Sequence, residues 1–252
     1  MSLSRHWLLS LHLSTGKYAD FVREMVRLAQ SGMPSYVCIA NVHMCIEAWD
    51  DPQFAEMVNS ADIVTPDGMP LVVASRFLQG VHTDRADGMN LLPDLINEAA
   101  SKQIGVFFYG GSPETLAFAR QYIHQKYPLL NANYYSPPYR TLSETEKADV
   151  IQQIRASGAG MIFVALGCPK QERWMAAHGS MFNACMFGIG GALPVMLGIQ
   201  KRAPEWMRKA SLEWLFRLAQ EPTRLFKRYF YTNLKFLGLI FIALIRKSMK
   251  RN

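Results

Sequence analysis

Apolar and polar positions alternate along this chain in two distinct rhythms. Short apolar runs, rich in β-branched and aromatic residues, occur at 35–41, 62–65, 105–110, 132–135, 161–166 and 185–190. Between them, apolar residues recur at helical spacing over 19–31, 52–60, 69–79, 89–102, 113–126, 143–157 and 170–178. Runs apolar on every position, separated by helix-length segments, predict a mostly parallel sheet covered on both faces. Leu9, Leu11 and Leu13 alternate with Ser10, His12 and Ser14, which predicts a further strand at the start. The fold class is therefore α/β, a mostly parallel sheet with helices on both faces.

After Gly198 the strand rhythm stops. Ser211 is placed to cap a helix whose Leu212, Leu215, Phe216 and Ala219 form one stripe. Pro222 suits the first turn of another helix. There Leu225, Tyr229, Thr232 and Phe236 share one side, and Arg224, Lys227, Arg228 and Lys235 another. The division predicts an α/β domain over 1–198 and a helical, basic appendage over 199–252. The longest apolar run, Phe236 to Ile245, covers about 15 Å as a helix. That is enough to dip into a bilayer but short of its core of about 30 Å.

Charge sharpens this division. Residues 1–199 carry 14 Lys and Arg against 17 Asp and Glu, whereas residues 200–252 carry 13 against 3. A near-neutral domain followed by a basic segment points to an anionic partner: lipid, nucleic acid or a phosphorylated substrate. Phe, Leu and Ile interleaved with the basic residues suit lipid better than nucleic acid. The four cysteines form no CxxC pair and the six histidines no HExxH motif, so neither a disulfide framework nor a metal site is expected.

Candidate chemistry gathers where predicted strands end, the usual ligand edge of an open α/β sheet. Asn41 ends one strand. Pro66-Asp67-Gly68 follows another, and reads either as a helix-capping turn or as a general base aimed by that turn. Gly110-Gly111-Ser112 follows a third. Gly167-Cys168-Pro169-Lys170-Gln171-Glu172 follows a fourth, and a cation in a first helical turn is favourable only beside an anion. Gly190 and Gly191 offer backbone N–H groups to a diphosphate. The chain has neither GxGxxG nor a Walker A loop, and no D-x-D pair to anchor a divalent ion on a nucleotide-sugar. From these residues an enzyme using a nucleotide donor, a nucleotide-cofactor oxidoreductase and a non-catalytic membrane-recruited binding protein all stay open.

The ordered set of motifs resembles the WecG/TagA/CpsF glycosyltransferase family from about Val37 to Arg228. The strongest segments are FVALGCPKQERW (163–174) and KRAPEWMRKASLEWLFRLAQEPTRLFKR (201–228), with DRADGMN (84–90) and YGGSPE (109–114) between the other motifs. The resemblance implies a Rossmann-like catalytic domain over 1–198 and a membrane-associating helical appendage over 199–252. It implies an inverting, metal-independent transfer of a sugar from a UDP-linked donor, of the UDP-N-acetylmannosamine or UDP-glucose type. The acceptor is a saccharide linked to polyprenyl diphosphate. The setting is surface-polymer synthesis at the cytoplasmic face of the bacterial inner membrane, by a peripheral protein. It implies no cofactor, and leaves a homo-oligomeric state open. By the same resemblance Asp67 is the base, and Arg217 and Arg224 meet the departing diphosphate. Asn41, Arg85, Asn90, Gly110, Gly111, Lys170, Gln171, Gly190, Gly191, Lys227 and Arg228 bind substrate. Two positions depart from the family pattern: Asn90 and Pro194 stand where many members carry an aspartate.

Overall fold

The structure, a computed structural model, describes residues 3–209 and 212–249, without the side chains of Lys209 and Arg224. Six strands form one parallel sheet in the order β4-β3-β8-β7-β5-β6. They are β3 (Ser35–Ala40), β4 (Ile63–Pro66), β5 (Val106–Gly110), β6 (Ala132–Tyr135), β7 (Met161–Ala165) and β8 (Cys185–Gly188). All six were legible as apolar runs, and each lies within two residues of its predicted bounds. The inner strands are buried on both faces, which is why they show no alternation.

Two apolar cores sandwich the sheet. On one face lie α2 (Val42–Asp50), α3 (Pro52–Asn59), α4 (Met69–Gln79), α7 (Glu144–Ala156) and α8 (Lys170–His178). On the other lie α1 (Tyr18–Gln30), α5 (Gly88–Ser101), α6 (Pro113–Lys126) and the short α9 (Ala192–Met196). The chain therefore leaves the adjacent strands β3 and β8 toward opposite faces, α2 to one and α9 to the other. That divergence opens a crevice at the carboxyl ends of the strands, where open α/β sheets take ligands.

Two sequence expectations need correction. The alternating segment at the N-terminus is a hairpin, not one strand: β1 (Ser4–Leu8) pairs antiparallel with β2 (Leu11–Thr15). Leu9 sits in the turn with a positive φ of 54°, while Leu11 and Leu13 are buried. The hairpin covers the outer edge of β4, with Ser14 Oγ accepting from Val64 N–H at 3.1 Å. The α2 helix was not anticipated. Its signal was Asn41, whose side-chain oxygen accepts from Met44 N–H at 3.1 Å as an N-cap.

The segment after α9 is helical, with α10 (Glu205–Lys209), α11 (Glu213–Gln220) and α12 (Pro222–Met249). The expected cap Ser211 lies outside the described residues. The expected apolar stripe of α11 is not its buried side: Leu215 is exposed, whereas Glu213 is buried. An ion pair, described below, turns the helix that way. In α12 the predicted stripe holds, with Leu225, Thr232 and Phe236 buried. The ten-residue apolar run becomes part of a 28-residue helix, about 42 Å long. By length and composition Leu225–Met249 is sufficient to cross a membrane. It lies instead along α2 and α4, with Phe236 in the core, Lys235 bonded to Asp50, and Lys247 Nζ donating to the Phe77 and Leu78 carbonyls at 2.9 and 2.8 Å.

Candidate active site

Asp67 leaves the end of β4 next to Asn41 at the end of β3, because the paired residues Ala40 and Pro66 immediately precede them. The turn is tied down through its backbone. Asp67 N–H donates to the Ala40 carbonyl at 2.8 Å and Ala86 N–H to the Pro66 carbonyl at 3.0 Å. Arg85 Nε donates to the Asp67 carbonyl at 2.7 Å, and Thr65 Oγ1 to the Ala86 carbonyl at 2.9 Å. The helix that follows is capped by Gly68 without a side-chain bond. Asp67 is thus not a capping residue. Its carboxylate accepts no hydrogen bond among the described residues.

That carboxylate is pushed up to about 7. Burial is the main cause, followed by the neighbouring Asp87 carboxylate; Arg85 and Arg217 pull the other way, and Glu213 adds to the rise. A half-buried, unpaired acid with this affinity for a proton suits a general base near neutral pH.

A charged network surrounds it. Asp87, 2% exposed, caps α5 and accepts from Asn90 N–H at 3.2 Å and from Asn90 Nδ2 at 2.7 Å. Arg202 Nη2 donates to Asn90 Oδ1 at 2.7 Å and lies 3.6 Å from Asp87. Arg85 Nη2 lies 3.4 Å from Asp87 and donates to Glu213 Oε2 at 2.6 Å. Asn90 therefore spends both side-chain groups inside the protein. An aspartate there would set a second carboxylate 2.7 Å from Asp87, so Asn90 and Asp87 belong together.

Arg217 reaches the glycine turn from α11. A Cβ at Gly191 would meet Arg217 Nη2 at 2.6 Å, so only glycine lets the guanidinium lie there undisplaced. Gly190 N–H is already committed to Gln171 Oε1 at 3.1 Å. The same oxygen accepts from Gly167 N–H at 3.2 Å, and Gln171 Nε2 donates to Glu172 Oε1 at 2.7 Å. Gln171, 4% exposed, clamps two strand-end turns together with every group of its amide in use. Glu172 is fully buried, whereas Lys170 in the same helical turn is exposed. Burial raises its carboxyl to about 7, and its Oε2 has no partner among the described residues.

Not every predicted site residue joins this cluster. Gly110 and Gly111 end β5, four strands from β4, which puts them about 19 Å away along the sheet edge. Gly110 is required for packing: with φ at 102°, a Cβ would meet the Ala165 carbonyl at 2.8 Å. Arg228 lies over the Tyr229 ring and beside His43, whose imidazole burial and that cation hold down to about 4. Lys227 is exposed. The side chain of Arg224 lies outside the described residues. Asp87, Arg202 and Glu213 were not foreseen as site residues. Glu213 had a signal, standing four residues before Arg217 and so on the same helical face. Among the described residues no three His, Cys, Asp or Glu side chains gather as a metal site would need.

Comparison with known proteins decides between the readings. The glycosyl transferase WecG/TagA/CpsF family model matches residues 6–250. The chain belongs to this family. It is 31% identical over 191 residues to a protein of Bacillus spizizenii W23, covering 75% of this chain and 73% of that one. A Bacillus subtilis 168 relative is 31% identical over 192 residues, with 75% and 72% covered. One from Staphylococcus aureus MW2 is 29% identical over 197 residues, with 78% and 76% covered. All three carry the name N-acetylglucosaminyldiphosphoundecaprenol N-acetyl-beta-D-mannosaminyltransferase. This WecG/TagA/CpsF member is a glycosyltransferase, which sets aside the oxidoreductase and the non-catalytic readings.

Proposed function

We propose that this glycosyltransferase moves a sugar, of the N-acetylmannosamine type, from UDP to N-acetylglucosamine on a polyprenyl diphosphate, with inversion and without a metal ion. The observation that carries the reading is the unpaired Asp67 carboxylate at the crevice where Arg217 crosses the glycine turn. The relatives' names supply the sugar and the acceptor.

The mechanism is a single displacement. Asp67 takes the proton of the acceptor hydroxyl as its oxygen bonds to the anomeric carbon. The bond from that carbon to the UDP oxygen breaks on the opposite face, inverting the centre. One base suffices for this, and no covalent intermediate forms on the protein. Negative charge grows on the departing diphosphate, and Arg217 meets it with a charge-assisted bond. Gly191 N–H, which makes no hydrogen bond among the described residues, is a second donor. Lys227 and Arg228, which lie outside this cluster, and Arg224 leave the appendage basic around it. Asn41 keeps Nδ2 available for the sugar or the nucleotide while Oδ1 caps α2. Gln171 supports the site by fixing the glycine turns.

The test is transfer from UDP-N-acetylmannosamine to an N-acetylglucosaminyl-diphospho-lipid, followed by UDP release and product linkage. A β-linked product, formed equally in excess EDTA, is expected. Loss of turnover on chelation, restored by added magnesium, overturns the metal-free mechanism. Failure with this donor and success with UDP-glucose reassigns the sugar.

The appendage also places the enzyme on a membrane in this reading, at the cytoplasmic leaflet where UDP-sugars are available. Phe226, Phe230, Leu234, Leu237 and Phe241 are each about 60% exposed and recur at helical spacing on α12, facing away from the core. Each apolar side chain withdrawn from water contributes about 1.5–3 kcal/mol, and each cation near an anionic leaflet about 1 kcal/mol. Phe230→Glu with Leu237→Glu is expected to weaken binding to phosphatidylglycerol vesicles by about 100-fold or more. UDP affinity in solution stays the same. Unchanged sedimentation with vesicles would remove α12 as the docking surface.

A further inference from the structure

We propose that Glu213 is a positioning residue, the latch that holds α11 on the base turn and thereby sets Arg217 against Gly191. The proposal rests on the reading of Asp67 as base and Arg217 as its electrostatic partner.

The geometry is a hub. One guanidinium, that of Arg85, holds the Asp67 carbonyl through Nε at 2.7 Å and Glu213 through Nη2 at 2.6 Å. It therefore joins the catalytic turn to a helix 128 residues further along the chain. Glu213 is 9% exposed, although its helix leaves Trp214 and Leu215 in solvent. Burying a carboxylate in preference to those apolar neighbours is unfavourable unless it is paired. The Arg85 contact is thus what selects this rotation of α11. Glu213 and Arg217 are one helical turn apart, so the rotation that seats the acid also seats the cation. Glu213 Oε1 is buried without a partner among the described residues, so the carboxylate itself is held by Arg85 through Oε2 alone.

The latch also has an electrostatic signature. The charged groups facing Asp67 are Arg85, Asp87 at the start of α5, and Glu213 and Arg217 on α11. Removing the Glu213 carboxylate takes away one group that raises Asp67. It also frees Arg85, which lowers Asp67. Both changes move the base toward stronger acidity. Displacement of Arg217 opposes them but is the smallest of these influences, so the acid limb of the rate profile still shifts to lower pH. A residue serving only to fill space has no such effect.

The experiment uses the full chain with Glu213→Gln and Glu213→Asp. For Glu213→Gln, three results are expected. Amide hydrogen exchange over residues 212–221 accelerates. UDP affinity and kcat/KM fall, the latter by about 100-fold, as displacement of a charge partner by about 1 Å does. The acid limb of kcat/KM moves to lower pH. Glu213→Asp keeps the charge with a shorter reach and recovers part of each. Parental exchange, UDP affinity and limb position in Glu213→Gln overturn the latch. Exchange over Met161–Ala165 monitors the whole fold. If it accelerates too, Glu213→Asp carries the test: recovery supports the latch, and a loss equal to that of Gln overturns it. An active Asp67→Asn enzyme refutes the base reading alone, since exchange and UDP binding still decide the latch.

Discussion

Asp67→Asn is expected to lower turnover by about 10²–10⁴-fold while leaving UDP affinity within a few-fold of the parent. Asparagine keeps the shape of the side chain and every bond that ties down the turn, because those bonds use the main chain of Pro66 and Asp67 and the Thr65 hydroxyl. What it loses is the ability to accept a proton from the acceptor hydroxyl. The parent enzyme should show an acid limb near pH 7, with activity present above it and lost below, because the raised carboxyl must be ionised to act. Glu172 titrates in the same range, so the limb needs assignment. In the residual activity of Asp67→Asn the limb should disappear if Asp67 sets it, and persist if Glu172 does. Turnover by the Asn variant close to the parent's excludes Asp67 as base. The measurement is initial UDP release at saturating donor, across pH 5.5–9.

Arg217→Ala is expected to cost about 10²–10³-fold in kcat, the range for removing one oriented donor from a developing charge. The loss should appear in kcat more than in KM, because the diphosphate gains charge as the glycosidic bond breaks. Arg217→Lys should recover only part, since lysine keeps the charge but lacks the planar fork. High salt should not mimic the substitution, because the guanidinium is packed against the Gly191 turn rather than held at a distance in solvent. An Ala variant that changes KM alone assigns Arg217 to ground-state binding and shifts the leaving-group role to the other appendage cations.

Much of this site could be read from the chain before the fold was known, for a definite reason. Strands buried on both faces leave continuous apolar runs. The residues that end them, Asn41, Asp67 and Gly190, lie on the ligand edge by topology alone. Side-chain roles were less legible where one residue answers to a distant partner. Gln171 looked like a ligand contact and is a clamp, because the two glycine turns it joins come from different strands. The turn at 110–112 was a weaker signal than the one at Gly190 and Gly191, and strand order separates it from Asp67 by most of the sheet. Glu213 was hidden by the apolar stripe beside it, since local periodicity cannot show an ion pair formed across 128 residues.

The way α12 is fastened bears on how the protein can be handled at the bench. Phe236 is 4% exposed and packs in the interior with residues of α2 and α4, and Thr232 beside it is equally shielded. Cutting the chain near residue 199 would therefore uncover a greasy wound on the remaining α/β portion. Exchanging the outward-facing phenylalanines and leucines for polar residues is the gentler route to a soluble, intact enzyme.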